Sequence, residues 1–434
     1  MEEEREIEMR AIVYAIGIVI ISQLSFAQSQ YKLAYDFGTT NGIEDGIGPN
    51  GGLVFDRDGN IYGTTRGGGN NITPCGGDPT GCGTVFELSP VGNGTWAETI
   101  IHRFCDDAPV CSDGLQPWAG LVMDKFGNLY GTTMGGGDGY APYGTAFELS
   151  KKQDGTWEYM KVWDFNDGDA WGPVGKLILD SAGNLYGTTN VGGYNGGGTV
   201  FELSRTENGW TRTTLHSFSQ WLDGAEPYAG VVFDRSGNLY GTTFAGGNAS
   251  CDGGFGCGTV FELTPNGDGT WSEAFFYQLS GWDGGLPRGE VNLDGVGNLY
   301  TTATYFGPYA KCQCGGILRM TYVGNSWNFS GILPFKGQNG AYPQAGIMID
   351  KKSRTIYGTT LEGGPNTACR GGCGTVYEIH GTKESVIYNF CSQPNCTDGY
   401  WPWSSLYTDG VGNLYGSTDL GGTHNYGVIF EITP

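Results

Sequence analysis

Basic residues are scarce in this chain of 434 residues: 23 Lys and Arg stand against 45 Asp and Glu, a formal net charge of -22. A surface dominated by negative charge repels phosphate, which argues against nucleic acid and an anionic membrane face as partners. Histidine occurs at His102, His216, His380 and His424 alone. His102 and His216 take the same place in a repeat, which points to structure rather than catalysis. There is no His-Glu-x-x-His helix and no strand-linked Gly-x-Ser-x-Gly elbow, and Gly runs such as Gly67-Gly68-Gly69 lack the Lys and helix of a phosphate loop. Long apolar runs are equally rare. The stretch Ala11 to Ile21, followed by Ser22 to Ala27, reads as a secretory leader over residues 1–27, with a natural start at Met9 because Met1 to Glu8 is acidic. A membrane anchor is the competing reading, but the run is short for a span.

Glycine is abundant instead, 79 residues without a collagen-like period of three. Such glycine suits many tight turns, and aromatic residues at 13% supply the buried area that glycine lacks. The twelve cysteines fall in close pairs: Cys75/Cys82, Cys105/Cys111, Cys251/Cys257, Cys312/Cys314, Cys369/Cys373 and Cys391/Cys396. Export and short spacing favour six local disulfides. Cys312/Cys314 is the doubtful pair, since a bridge across one residue is strained. Zinc, the alternative, lacks finger spacing and a nearby His.

The run Asp-Lys-Phe-Gly-Asn-Leu-Tyr-Gly-Thr-Thr at 124–133 organises the whole chain. Some form of it returns seven times, with its Tyr at Tyr62, Tyr130, Tyr186, Tyr240, Tyr300, Tyr357 and Tyr415, at intervals of 54 to 68 residues. Each unit has four β-like segments, A to D: a short apolar strand, the Leu-Tyr-Gly-Thr-Thr strand, a Gly-Thr-Val-Phe-Glu-Leu strand, and a strand running from a Trp to an aromatic. Segments A to C occur seven times, but D follows them six times. The missing D is Tyr31 to Phe37 at the other end of the chain, and its pairing with the last unit would close a ring without open edges. The expectation is an all-β, seven-bladed β-propeller of four-stranded blades, one domain over 28–434, closed by strand 31–37. A β-solenoid is the runner-up, but its repeats are normally shorter.

If the strands run outward from a central channel, the B-to-C and D-to-A connections share one face, and all twelve cysteines lie there. Loops held by a rigid ring are where function is usually grafted. This face also bears a repeated Asp-Gly turn at Asp113, Asp167, Asp223, Asp283 and Asp398, with Asp45 in the first unit. Such Asp residues bond nearby backbone N–H groups in Asx turns; alternatively the ring could hold Ca²⁺, although no cofactor is required. The D-to-A aromatics Trp118, Trp171, Trp221, Trp282, Tyr342, Trp401 and Trp403 suit stacking on sugar faces beside carboxylates, or plugging gaps between blades. Glu87, Glu148, Glu202, Glu262, Glu378 and Glu431 recur in almost every C strand, which argues for architecture, since a catalytic acid is needed once or twice.

The Gly-Asn-Leu-Tyr-Gly-Thr-Thr … Gly-Gly … Gly-Thr-Val-Phe-Glu-Leu pattern resembles the Gloeobacter/Verrucomicrobium-type tandem repeat of predicted secreted bacterial proteins. The resemblance covers nearly all of the mature chain; unit five departs at Tyr300-Thr301-Thr302-Ala303 and Gly316 to Met320. It implies export and brings no catalytic residue. The expected role is an extracellular, cell-surface or periplasmic module that binds carbohydrate or a surface protein through its loop-rich face. A lyase or glycoside hydrolase at the channel mouth, or a purely structural surface protein, are the alternatives.

Overall fold

A computed structural model of the chain describes residues 29–434 except 70–74, 76–79, 108–109, 139–142, 167–169, 221, 249–250, 252–253, 306–312 and 325. The expected leader, 1–27, together with Asp167, Trp221 and Cys312, lies outside the described residues.

The chain forms seven antiparallel sheets; six are built from four consecutive strands in order A-B-C-D, and the seventh is closed by the N-terminal strand and carries an additional short strand, Tyr400–Pro402. Blade 2 is typical: Val122–Met123, Leu129–Thr133, Thr145–Lys151 and Trp157–Asp164. Blades 1 and 3 to 6 span 54–103, 178–217, 232–278, 292–334 and 348–389. Blade 7 takes Tyr407–Thr408, Leu414–Leu420 and Val428–Thr433 from the C-terminus, and its D strand is Gln30–Asp36 from the N-terminus. This closing pair carries a bulge between Leu33 and Tyr35, at the place where the C–D pairs of blades 1 to 6 are also bulged. The circular displacement read from the sequence is therefore present, and the structure is the seven-bladed β-propeller, with the closing strand one residue earlier than expected.

Aromatic side chains carry the contact between blades. The Phe ending strand D packs on the C-strand Phe or Tyr of the next blade at 5.1–5.3 Å between ring centroids: Phe37 on Phe86, Phe104 on Phe147, Phe165 on Phe201, Phe218 on Phe261, Phe335 on Tyr377 and Phe390 on Phe430. Nearer the opposite face, the B-strand Tyr meets the Trp that opens the next D strand, as in Tyr62–Trp157 at 5.7 Å and Trp96–Tyr415 at 6.2 Å. The recurrent C-strand glutamates also join blades: Glu87 takes Lys151 Nζ at 3.2 Å and Glu148 takes Arg205 at 3.0 Å. Five local disulfides are formed, Cys75–Cys82, Cys105–Cys111, Cys251–Cys257, Cys369–Cys373 and Cys391–Cys396. Cys314 is also disulfide-bonded. No helix of the described residues is long and apolar enough to cross a membrane.

Candidate functional site

The repeated Asp-Gly turn sits between blades. Asp113 accepts from the Cys105 backbone N–H at 2.8 Å and pairs with His102 Nε2 at 2.9 Å. Asp223 does the same with Ser219 N at 2.7 Å and His216 Nε2 at 3.0 Å. Burial works against the Asp223 charge, but the bonds from His216 and Ser219 outweigh it and hold this carboxyl down at about 2. Asp283 accepts from Ser280 N and the Tyr277 hydroxyl, and fully buried Asp398 from Ser392 N, Gln393 N and the Tyr388 hydroxyl. Each of these carboxylates therefore fixes a D-to-A loop onto its D strand. The two histidines of strand D belong to this clasp.

The D-to-A aromatics occupy several positions relative to the Pro that ends each loop, and their side chains diverge accordingly. Trp171, two residues before Pro173, is bridged by backbone to Val191, is 38% exposed, and has its ring 6.1 Å from that of Tyr143. Tyr342 and Trp401, directly before Pro343 and Pro402, stand in left-handed backbone at φ 54° and 57°. Their N–H groups donate to Cys314 O and Cys373 O, just ahead of a C strand, and the repeat adopts this conformation to make that bond. Trp282 is 60% exposed. The structure brings together two of the expected aromatics, Trp118 and Trp403, whose rings meet edge to face at 6.2 Å.

Those two residues directly follow Pro117 and Pro402, and the residue after the Pro faces the central channel in every blade. Asn50, Trp118, Val174, Tyr228, Arg288, Gln344 and Trp403 form a ring at the mouth on the loop-rich face, around a hollow of about 90 Å³. Three polar atoms of this ring, Asn50 Oδ1, Trp118 Nε1 and Gln344 Oε1, are buried without a hydrogen-bond partner among the described residues. Arg66 lies over the Trp118 ring at 5.9 Å and is itself held by Asp419 at 3.1 Å. Arg288 lies against both Tyr228 and Phe244, 4.6 and 4.5 Å from their centroids, and those two rings meet edge to face at 5.4 Å.

Two residues deeper the repeat places Gly52, Gly120, Gly230 and Gly346 in four blades, but Lys176, Glu290 and Ser405 in the others. With Tyr407, these three polar residues separate the hollow from a chamber of about 1010 Å³ that opens among the A-to-B turns at the other end of the channel. Lys176 Nζ sits 4.9 Å from the Tyr407 ring centroid. Burial works against the Lys176 charge, yet Tyr407 and Glu290 together hold the ammonium above the usual lysine range. Burial pushes the Tyr407 phenol up, with Lys176 opposing. This septum escaped the reading of loop aromatics because its members lie in the channel wall. Its signal in the sequence was the loss of glycine at the third residue after Pro.

The repeat model of the Gloeobacter/Verrucomicrobia repeat family matches residues 72–311 and 249–434. This chain belongs to that family. No curated protein matches it. Among solved structures, the extracellular domain of a protein assigned as a one-component system of B. thetaiotaomicron is similar at TM-score 0.55 and 14% identity, over 93% of this chain and 42% of that one. A Dyadobacter fermentans protein of unknown function is similar at TM-score 0.44 and 11% identity, over 94% and 98%. A Bacteroides uniformis protein assigned as a 6-phosphogluconolactonase gives TM-score 0.46 and 11% identity, over 78% and 83%. At such identities what is shared is the fold.

Proposed function

We propose that this member of the repeat family is an exported binding module that recognises carbohydrate at the mouth of its channel on the loop-rich face, through Trp118 and Trp403. The supporting observation is the edge-to-face pair of tryptophans from blades 2 and 7, set beside buried polar atoms with no partner among the described residues. Indole rings offer flat apolar area for one face of a sugar, while Asn50 Oδ1 and Gln344 Oε1 accept from its hydroxyls and Trp118 Nε1 donates. An unpaired buried polar atom costs roughly 1–3 kcal/mol, a cost that a ligand hydroxyl removes on binding. The hollow is too small to engulf a sugar chain, so the ligand lies across the mouth. Export is supported by the local disulfides, which persist in oxidising compartments. The proposed sugar contacts come from the channel mouth and not from the Asp-Gly carboxylates, which bond within the clasp.

A glycan array and polysaccharide pull-down with the full chain, with and without Ca²⁺, tests this reading. Wild type should retain a carbohydrate that Trp118→Ala and Trp403→Ala lose. Absence of binding on any glycan would move the role to a protein partner or a structural one. A catalytic reading draws on the septum, where Glu290, Lys176 and Tyr407 are unrepeated. Release of new sugar ends from a bound polysaccharide, abolished by Glu290→Gln, would favour it.

A further inference from the structure

The wide chamber at the other end of the channel is distinct from the aromatic mouth. Its volume of about 1010 Å³ is that of a small-molecule pocket, and Phe55, Phe233, Met348 and Ile349 give it apolar walls. Its floor is the septum.

Lys176 is the unusual feature of that floor. Among the described residues its ammonium has no carboxylate at ion-pair distance; Tyr407 stands beside it instead, at 4.9 Å from the ring centroid. The acids at the rim are committed to their own turns. Asp234 accepts from Ser236 N, Asn238 N and Asn238 Nδ2, and Asp294 from Val296 N, Asn298 N, Asn298 Nδ2 and the Tyr300 hydroxyl. The Lys176 side chain is partly buried and lines the open chamber, so its ammonium has donors to offer an anion, and the opening is wide enough to admit one. Glu290, in the same floor, repels polyanions but accepts a hydroxyl hydrogen. The repeat itself has no use for either charge, since four blades place Gly there.

We infer that the chamber is a second binding site, for a small carboxylic acid that also carries hydroxyl groups, with its carboxylate on Lys176 and a hydroxyl on Glu290. The apolar walls cover the ligand's carbon skeleton. Inorganic phosphate, with more charge and no apolar face, is a poor fit. This site is independent of the sugar reading, which concerns the opposite mouth.

Calorimetric titration of the full chain with quinate, its neutral methyl ester and inorganic phosphate tests the inference. Quinate should bind in the millimolar range or tighter, and at least about tenfold more tightly than the ester or phosphate, a difference of about 1.4 kcal/mol. Lys176→Met should erase the preference for acid over ester, and Lys176→Arg should keep it. Trp118→Ala should leave quinate binding unchanged, which separates this site from the mouth. Equal affinity for acid and ester in wild type overturns the inference without any variant. So does a preference that survives Lys176→Met, or no quinate binding at about 10 mM.

Discussion

The exchange between Gly131 and Phe147 shows how single residues hold a blade. They face each other across strands B and C, and a Cβ on Gly131 would lie 2.5 Å from the Phe147 ring. Blade 5 breaks this rule at both positions together: Thr301 faces Leu318, whose smaller side chain leaves room, and the Thr301 hydroxyl donates to Gly289 O at 3.0 Å. Gly131→Thr alone should therefore destabilise by about 1–3 kcal/mol, and adding Phe147→Leu should recover part of the loss. A double-mutant cycle of urea unfolding measures this; strictly additive effects would contradict it. Both departures were visible in the sequence, but their pairing needed the register. A second residue-scale prediction concerns Glu98, where blade 1 meets the closing strand. The Tyr35 hydroxyl is shared between Glu98 at 2.9 Å and Asp45 at 3.1 Å. Burial, reinforced by Asp45, pushes the Glu98 carboxyl up to about 8. Its folded value is above its unfolded one, so its contribution is full below about pH 4.5 and is lost as pH rises toward 8, at up to about 1.4 kcal/mol per pH unit. Glu98→Gln should flatten this part of the stability profile and raise the melting temperature at pH 8 relative to wild type. An unchanged profile would show that Glu98 ionises freely.

At the scale of elements, the D strand and its loop do most of the joining. The strand count alone displaced the last D strand to the N-terminus, and pairing from Gln30↔Thr433 to Asp36↔Val428 bears this out. Deleting residues 29–37 removes Tyr35 and the fully buried Phe37 from between blades 7 and 1. Each such side chain contributes about 1.5–3 kcal/mol, and Val428–Thr433 becomes an open edge. The truncated chain should unfold at lower denaturant and aggregate on concentration, measurable by circular dichroism and light scattering. The D-to-A loops were less legible. Grouping their aromatics as one face overlooked the Pro that fixes direction: the residue after it faces the channel, whereas the residue before it is turned by left-handed backbone toward the neighbouring C strand. Counting from Pro separates Trp118 and Trp403 from Trp171, Tyr342 and Trp401.

For the whole molecule, repetition explains both the clarity of the fold and the obscurity of the site. A ring of seven similar blades repeats its structural requirements, so the Asp-Gly clasp, the Phe belt and the C-strand Glu all recur. The sites proposed above lie where repetition fails, in the two residue rings that line the channel, whose members are distant in sequence and show only as departures from the repeat. The septum of Lys176, Glu290, Ser405 and Tyr407 divides the channel into two compartments of different size and chemistry. Titration of the full chain with an oligosaccharide retained on the array, comparing Trp118→Ala and Trp403→Ala with Trp171→Ala and Trp282→Ala, tests the assignment of the sugar site most directly. The channel pair should each weaken binding by about tenfold or more, at least about 1.4 kcal/mol, while the outer pair leaves it unchanged. Loss of binding in the outer pair with the channel pair intact would contradict the assignment and move recognition to the rim of the loops.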